Sequence, residues 1–174
     1  ISAIDPGTGA TIWTFEPTPY RVQSTRAFSG SSRAVSYWTD GKAKRILHNT
    51  IDGRLLSIDA VTGKPDAAFG KAGQVDLKQE LLPPDDPRKV DDINSTGPGI
   101  VVGDVIVVQV IGDDTNPRKG GTPGYVRGYD VRTGKRLWHF QMVHHDLFDY
   151  DNTAAPQLTT IQHDGRARDV VVQA

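Results

Sequence analysis

Residues alternate with the period of a β-strand up to Asp5, where Ala3 and Asp5 are in step, and again up to Asp130, where Gly128 and Asp130 are in step. Residues 45–49, 54–59, 100–110 and 169–173 carry further stretches that fit strands. Residues 77–82 fit a short helical turn. Pro83-Pro84-Asp85-Asp86-Pro87 must form an exposed loop, because proline has no backbone N–H to give a helix or a sheet. Residues 113–124, with two prolines and three glycines, make a second loop. The 18 glycines and 11 prolines, with abundant Val, Ile and Thr, predict β structure rich in turns.

One pattern occurs three times. Ala3-Ile4-Asp5-Pro6-Gly7-Thr8-Gly9, Ser57-Ile58-Asp59-Ala60-Val61-Thr62-Gly63 and Gly128-Tyr129-Asp130-Val131-Arg132-Thr133-Gly134 share the form small-x-Asp-x-x-Thr-Gly. Trp13 and Trp138 stand four residues beyond the last glycine in the first and third copies; the second has Ala67 there and Phe69 two positions on. The mechanics are those of a hairpin. The Asp accepts hydrogen bonds from turn amides, the Gly supplies a left-handed backbone, and the next strand begins. A tryptophan on that strand is large enough to cover a neighbouring sheet. The second copy's docking contact is weakened, or replaced by Phe69. Unequal intervals between Asp5, Asp59 and Asp130 place insertions between the hairpins. Periodic hairpins with one aromatic apiece suggest stacked β-sheets, with a β-propeller as the leading form.

Charge narrows the function classes. The 20 basic and 21 acidic residues create no global field towards nucleic acid or a membrane surface. The longest apolar run, residues 100–111, is broken by Gly103, Asp104 and Gln109 and is too short to span a bilayer. No basic segment followed by an apolar one has the form of a signal peptide. With zero cysteines, disulfides and thiolate metal sites are excluded. Arg118-Lys119-Gly120-Gly121 lacks the strand-to-helix context of a phosphate cradle.

The densest chemistry is His144-His145-Asp146-Leu147-Phe148-Asp149-Tyr150-Asp151. Three carboxylates this close repel unless a cation or protons neutralise them. The segment suits a metal or proton-transfer site, or a polar turn whose Asp side chains cap backbone amides. On a strand Asp149 and Asp151 would share a face and could reach one cation, whereas His144 and His145 would point to opposite faces. His48, His139 and His163 read as structural or exposed, Trp13 and Trp138 as docking residues, and Trp38 as core.

The repeat is similar to the tryptophan-docking motif of the pyrroloquinoline quinone (PQQ) dehydrogenases, and the segments between repeats resemble that family more specifically. They are Ser32-Arg33-Ala34-Val35-Ser36-Tyr37-Trp38, Thr50-Ile51-Asp52-Gly53-Arg54-Leu55, Thr96-Gly97-Pro98-Gly99 with Ile100 to Asp104, and His144 to Asp151 followed by Ala155-Pro156. The last looks most like the membrane-type glucose and polyol dehydrogenases. The resemblance covers nearly the whole chain. It implies an all-β chain of several antiparallel sheets, blades of an eight-bladed quinoprotein β-propeller in an incomplete ring, with residues 1–174 as one partial propeller domain.

The resemblance also implies roles. Asp149 matches the catalytic aspartate beside the metal and PQQ, and Asp151 the second carboxylate some members use for a more highly charged ion. Arg33 matches the arginine that pairs with PQQ carboxylates, a task suited to a planar guanidinium. Thr96 matches a hydroxyl that contacts the cofactor, and Asp114 falls near the position of the metal-binding glutamate. The implied cofactors are PQQ and Ca²⁺, Mg²⁺ or a lanthanide, and the implied substrate is an alcohol or sugar. Asp149 would remove the hydroxyl proton as hydride passes to PQQ, and electrons would go on to ubiquinone or cytochrome c. The implied location is periplasmic, with an inner-membrane anchor supplied by segments outside this chain.

The sequence also departs from the family. Between a segment like residues 128–138 and the His-His-Asp segment, members have a further sheet. Here Trp138 runs through His139-Phe140-Gln141 into His144, as though two Thr-Gly-Lys hairpins were merged. The metal-binding asparagine and the tryptophan under PQQ would fall in the missing stretch. The expectation is therefore weak or no PQQ binding by this chain alone. The alternative is a non-enzymatic propeller scaffold, which needs neither the Arg33 segment nor the Asp149-Tyr150-Asp151 pair.

Overall fold

The structure is a computed structural model that describes residues 1–17, 34–87, 90, 93, 95, 97–110, 122–142 and 156–172. Arg33, Thr96, Asp114, Asp149 and Asp151 lie outside the described residues. Twelve strands run in chain order: β1 (Ser2–Ile4), β2 (Thr11–Thr14), β3 (Ser36–Thr39), β4 (Lys44–Asn49), β5 (Arg54–Asp59), β6 (Gln74–Asp76), β7 (Ile100–Val102), β8 (Val105–Val110), β9 (Tyr125–Asp130), β10 (Arg136–Phe140), β11 (Gln157–His163) and β12 (Arg166–Val172). They form two four-stranded antiparallel sheets, β3-β4-β5-β6 and β7-β8-β9-β10, and two two-stranded ones, β1-β2 and β11-β12. No helix forms among the described residues, and the sheets do not close a ring.

The three repeats build the same turn. Asp5 Oδ1 accepts from the Gly7 and Thr8 amides at 2.9 and 2.8 Å and from Thr8 Oγ1 at 2.9 Å. Asp59 makes this set with Val61 and Thr62, and Asp130 with Arg132 and Thr133. Gly9, Gly63 and Gly134 sit at φ of 74°, 71° and 72°. The Thr8 hydroxyl and the two amides hold the Asp5 carboxyl below its ordinary value, as Thr62 and its neighbours do for Asp59.

An aromatic from each of the first two hairpins docks on the next sheet. Trp13 lies over Gly63, where an added Cβ would stand 2.7 Å from the indole. Its Nε1 donates to the Ala60 carbonyl at 3.1 Å. Phe69 takes this part for the second hairpin. It is fully buried beside Gly134, and the Gly70 amide donates to the Thr133 carbonyl at 2.8 Å. Trp138, by contrast, covers Gly128 of its own sheet and remains 38% exposed.

The core runs between the two four-stranded sheets through Leu47, Leu55, Phe69, Leu77, Ile106, Val108, Val110 and Tyr129. Trp38 belongs to it, with its Nε1 donating to Asp104 at 3.2 Å and the Arg132 and Arg45 guanidiniums over its ring. Two expected elements differ. Residues 100–110 are a hairpin rather than one strand, because Gly103 at φ 56° turns the chain between β7 and β8. Residues 77–82 form turns and no helix. Glu80 sits at φ 57°, and the carbonyls of Leu77, Gln79 and Glu80 accept from Arg127 instead of from helical amides.

Candidate active site

In the four-stranded sheets the Asp-x-x-Thr-Gly turns occupy one end, and the register fixes what lies at the other. Ser36 pairs with Leu47, Asn49 with Leu55, Arg54 with Asp76, Ile100 with Val107, Val110 with Tyr125, and Phe140 with Val126. At this second end β3, β5, β7 and β9 begin and β4, β6, β8 and β10 finish. Phe15, Glu16 and Pro17, which follow β2, line a cavity of about 280 Å³ that reaches from Arg54 and Gln74 to Ile58 and Pro65 beside the Thr-Gly turn. The site residues expected from the sequence lie outside the described residues, and only their order along the chain relates them to the strands. Arg33 follows β2 and precedes β3, Thr96 precedes β7, Asp114 lies between β8 and β9, and Asp149 and Asp151 follow β10.

The described residues next to positions 33 and 96 are tied to strand ends. Asn49 Nδ2 donates to Ser95 Oγ and to the Gly97 carbonyl, each at 3.1 Å, so one amide grips the chain on both sides of position 96. Ser95 Oγ donates to the Gln109 carbonyl at 2.7 Å, near the end of β8. Ser36 Oγ donates to the Gly99 carbonyl. His48 Nδ1 stands 3.4 Å from the carbonyl of Ala34, the residue after position 33. The ends of β3, β4, β7 and β8 thus converge around the places from which Arg33, Thr96 and the segment holding Asp114 depart.

Asn49 is the residue that sequence reasoning missed. It is 4% exposed, and its Oδ1 has no hydrogen-bond partner among the described residues. Nothing in its own strand, Lys44-Arg45-Ile46-Leu47-His48-Asn49, marks it. Its two donors are more useful there than packing, because they fix a loop segment that has no ladder of its own. The next residues set a tight turn. The Arg54 amide donates to Thr50 Oγ1 at 3.0 Å, and Arg54 pairs with Asp52 at 2.8 Å. Among the described residues no group of three or more His, Asp or Glu side chains could hold a metal ion.

Burial pushes the His48 imidazole below its ordinary value of 6.5, with the Ala34 carbonyl opposing. A depressed value in the fold means the unfolded chain binds the proton first. The contribution of neutral His48 is therefore present above about pH 6.5 and is lost as pH falls through the folded value. Thermal unfolding is expected at lower temperature at pH 5 than at pH 7.5. His48→Gln should flatten that difference, and an unchanged pH slope would count against it.

Comparison with known proteins decides the family. The model described as "PQQ: Glucose/ethanol/alcohol dehydrogenase, beta-propeller domain" matches residues 1–138 and 131–174. The chain belongs to the PQQ-dependent dehydrogenase family. Quinoprotein glucose dehydrogenase A of Acinetobacter calcoaceticus is 34% identical over 154 residues, covering 79% of this chain and 19% of that protein. The glycerol dehydrogenase large subunit of Gluconobacter oxydans is 34% identical over 153 residues, with the same two coverages. The crystal structure of quinohemoprotein alcohol dehydrogenase from Comamonas testosteroni superimposes with a TM-score of 0.56 at 25% identity, covering 82% of this chain and 18% of that one. The PQQ-family chain thus spans about a fifth of the curated relatives it matches. The two matched stretches share residues 131–138, the same segment whose sequence looks like two hairpins merged.

Proposed function

We propose that this chain is a segment of a PQQ-dependent dehydrogenase that oxidises an alcohol or sugar hydroxyl, with its site at the sheet end opposite the Thr-Gly turns. The observation that carries the proposal is the Asn49–Ser95–Gln109 network together with the His48–Ala34 contact. It gathers the departure points of the segments bearing Arg33, Thr96 and Asp114 within a chain that the family model matches along its length.

The donor set suits the cofactor and an ion. The Arg33 guanidinium and Thr96 hydroxyl offer hydrogen bonds to carboxylates and carbonyls of PQQ. Asp149, Asp151 and Asp114 offer the oxygen ligands that a hard cation such as Ca²⁺, Mg²⁺ or a lanthanide takes. When bound, PQQ supplies a two-electron acceptor and the ion polarises its reacting carbonyl. Asp149 accepts the substrate hydroxyl proton at a carboxylate oxygen. Asn49 holds the backbone around position 96, and Ser95 ties it to β8. A quinone or cytochrome receives the electrons, and a periplasmic location accords with that acceptor.

Titration of the chain and of Asp149→Ala with PQQ and Ca²⁺, followed by absorbance, tests the site. Saturable binding that Asp149→Ala abolishes supports it. Identical binding in both removes Asp149 from the site.

A further inference from the structure

The dipeptide Asp-Gly occurs at 40–41, 52–53 and 164–165. Glycine leaves its amide nitrogen unshielded by a side chain, so the preceding carboxyl is open to attack by its own backbone. What holds the carboxylate decides whether that attack occurs. Asp40 Oδ1 accepts from the Lys42 and Ala43 amides at 3.0 and 2.8 Å, and its Oδ2 stands 3.5 Å from Arg132. The Ala43 and Lys42 amides keep the Asp40 carboxyl below its ordinary value, so little of the protonated form, whose hydroxyl can leave, is present. Asp52 has 2% of its side chain exposed. It accepts from Thr50 Oγ1 and Arg54 Nε, and its Oδ2 pairs with Arg54 at 2.8 Å.

Asp164 is held differently. Strands β11 and β12 pair from Gln157 with Val172 to His163 with Arg166, which leaves Asp164-Gly165 as a two-residue loop. Both loop residues have positive φ, 52° and 70°, the geometry of a type I′ turn. The Asp164 carboxylate accepts no hydrogen bond among the described residues, and its ion-pair partner there is His163 at 3.5 Å. The amides that hold Asp40 and the side chains that hold Asp52 all come from within three residues along the chain, so the contrast is local to each turn.

We propose that Asp164 is a site of spontaneous isoaspartate formation, in which the Gly165 amide nitrogen attacks the Asp164 side-chain carbon. The N–Cγ bond forms as a Cγ–O bond breaks, and the hydroxyl leaves as water with the amide proton. Water then adds to the former main-chain carbonyl of the five-membered imide, and that carbon's bond to nitrogen breaks. The chain now continues through Cγ, with an extra backbone carbon between residues 164 and 165 and nothing oxidised or reduced. A two-residue loop cannot absorb that carbon and keep His163 opposite Arg166, so the hairpin loosens from its tip.

Incubation of the chain for several weeks at neutral pH and body temperature, folded and in guanidinium chloride, tests this. Far-UV circular dichroism follows the folded sample throughout. Proteolytic digestion and electron-transfer fragmentation then distinguish isoaspartyl from aspartyl at each Asp-Gly pair, although their masses are equal. In the folded chain isoaspartate at 164 should exceed that at 40 and at 52 by about tenfold or more, the ratio that carboxylates held by two hydrogen bonds or more imply against one held by none. In the denatured chain the three positions should form it at similar rates, because the bonds that hold Asp40 and Asp52 are gone. A folded chain with no isoaspartate at 164, or with equal amounts at all three, would overturn the proposal. So would a denatured chain in which 40 and 52 stay as slow as in the folded one, since their protection would then not come from the fold.

Discussion

Arg127→Ala should lower the stability of the chain by roughly 3–5 kcal/mol, a large share of what a domain of this size commonly has. Arg127 is 1% exposed and forms no salt bridge among the described residues. Its Nη1 donates to the carbonyls of Leu77 and Gln79 at 3.2 and 3.0 Å, and to the Tyr129 hydroxyl at 3.2 Å. Its Nη2 donates to the Glu80 carbonyl at 2.9 Å. Those three carbonyls belong to a turn that neither helix nor sheet satisfies, so truncation strands them without donors. Lysine should rescue little, because a compact ammonium cannot span the carbonyls that a planar guanidinium reaches. Urea unfolding followed by tryptophan fluorescence measures the loss. A change below about 1 kcal/mol would mean that water replaces the guanidinium at no great cost.

The same substitution at the same place in different repeats should have unequal effects. Gly134→Ala is expected to cost about 3–4 kcal/mol, and Gly9→Ala about 1–2 kcal/mol. Both glycines have φ above 70°, where any side chain adds backbone strain. At Gly134 an added Cβ would also lie 2.7 Å from Val75 Cγ2 and 3.0 Å from the Gly70 amide nitrogen, in the seam between sheets. At Gly9 it meets nothing within 4 Å. Gly63→Ala should resemble Gly134→Ala, since the methyl would meet the Trp13 ring at 2.7 Å. Equal midpoint temperatures for the Gly9 and Gly134 variants would show that the seam relaxes around the methyl.

The turns were legible in the sequence because they are local. An Asp that accepts from amides two and three residues on, and a glycine at positive φ, need nothing from the rest of the chain. The docking of Phe69 in place of a tryptophan was legible as one of two options, and packing against Gly134 settled it. The break at Gly103 was hidden, since β8 is buried along most of its length and reads as one apolar run with β7. Residues 77–82 looked helical from their own composition, and an arginine some fifty positions away prevents it. Asn49 was invisible for the same reason: its partners Ser95 and Gly97 are 46 and 48 residues distant. The roles of Arg33, Thr96 and Asp114 came from family resemblance, whereas Asp149 and Asp151 stood out as part of a crowded carboxylate cluster before it.

The two ends of the sheets have different freedom to change. At the Thr-Gly end the same atoms that close a hairpin also seat a neighbour, so a single substitution disturbs two structures at once and tolerated variation should be slight. At the other end the connecting segments can lengthen, shorten or alter their chemistry while the aromatic seats on the Thr-Gly turns stay as they were. A lineage built this way changes the chemistry of one rim by editing its segments, leaving the joinery of the other untouched.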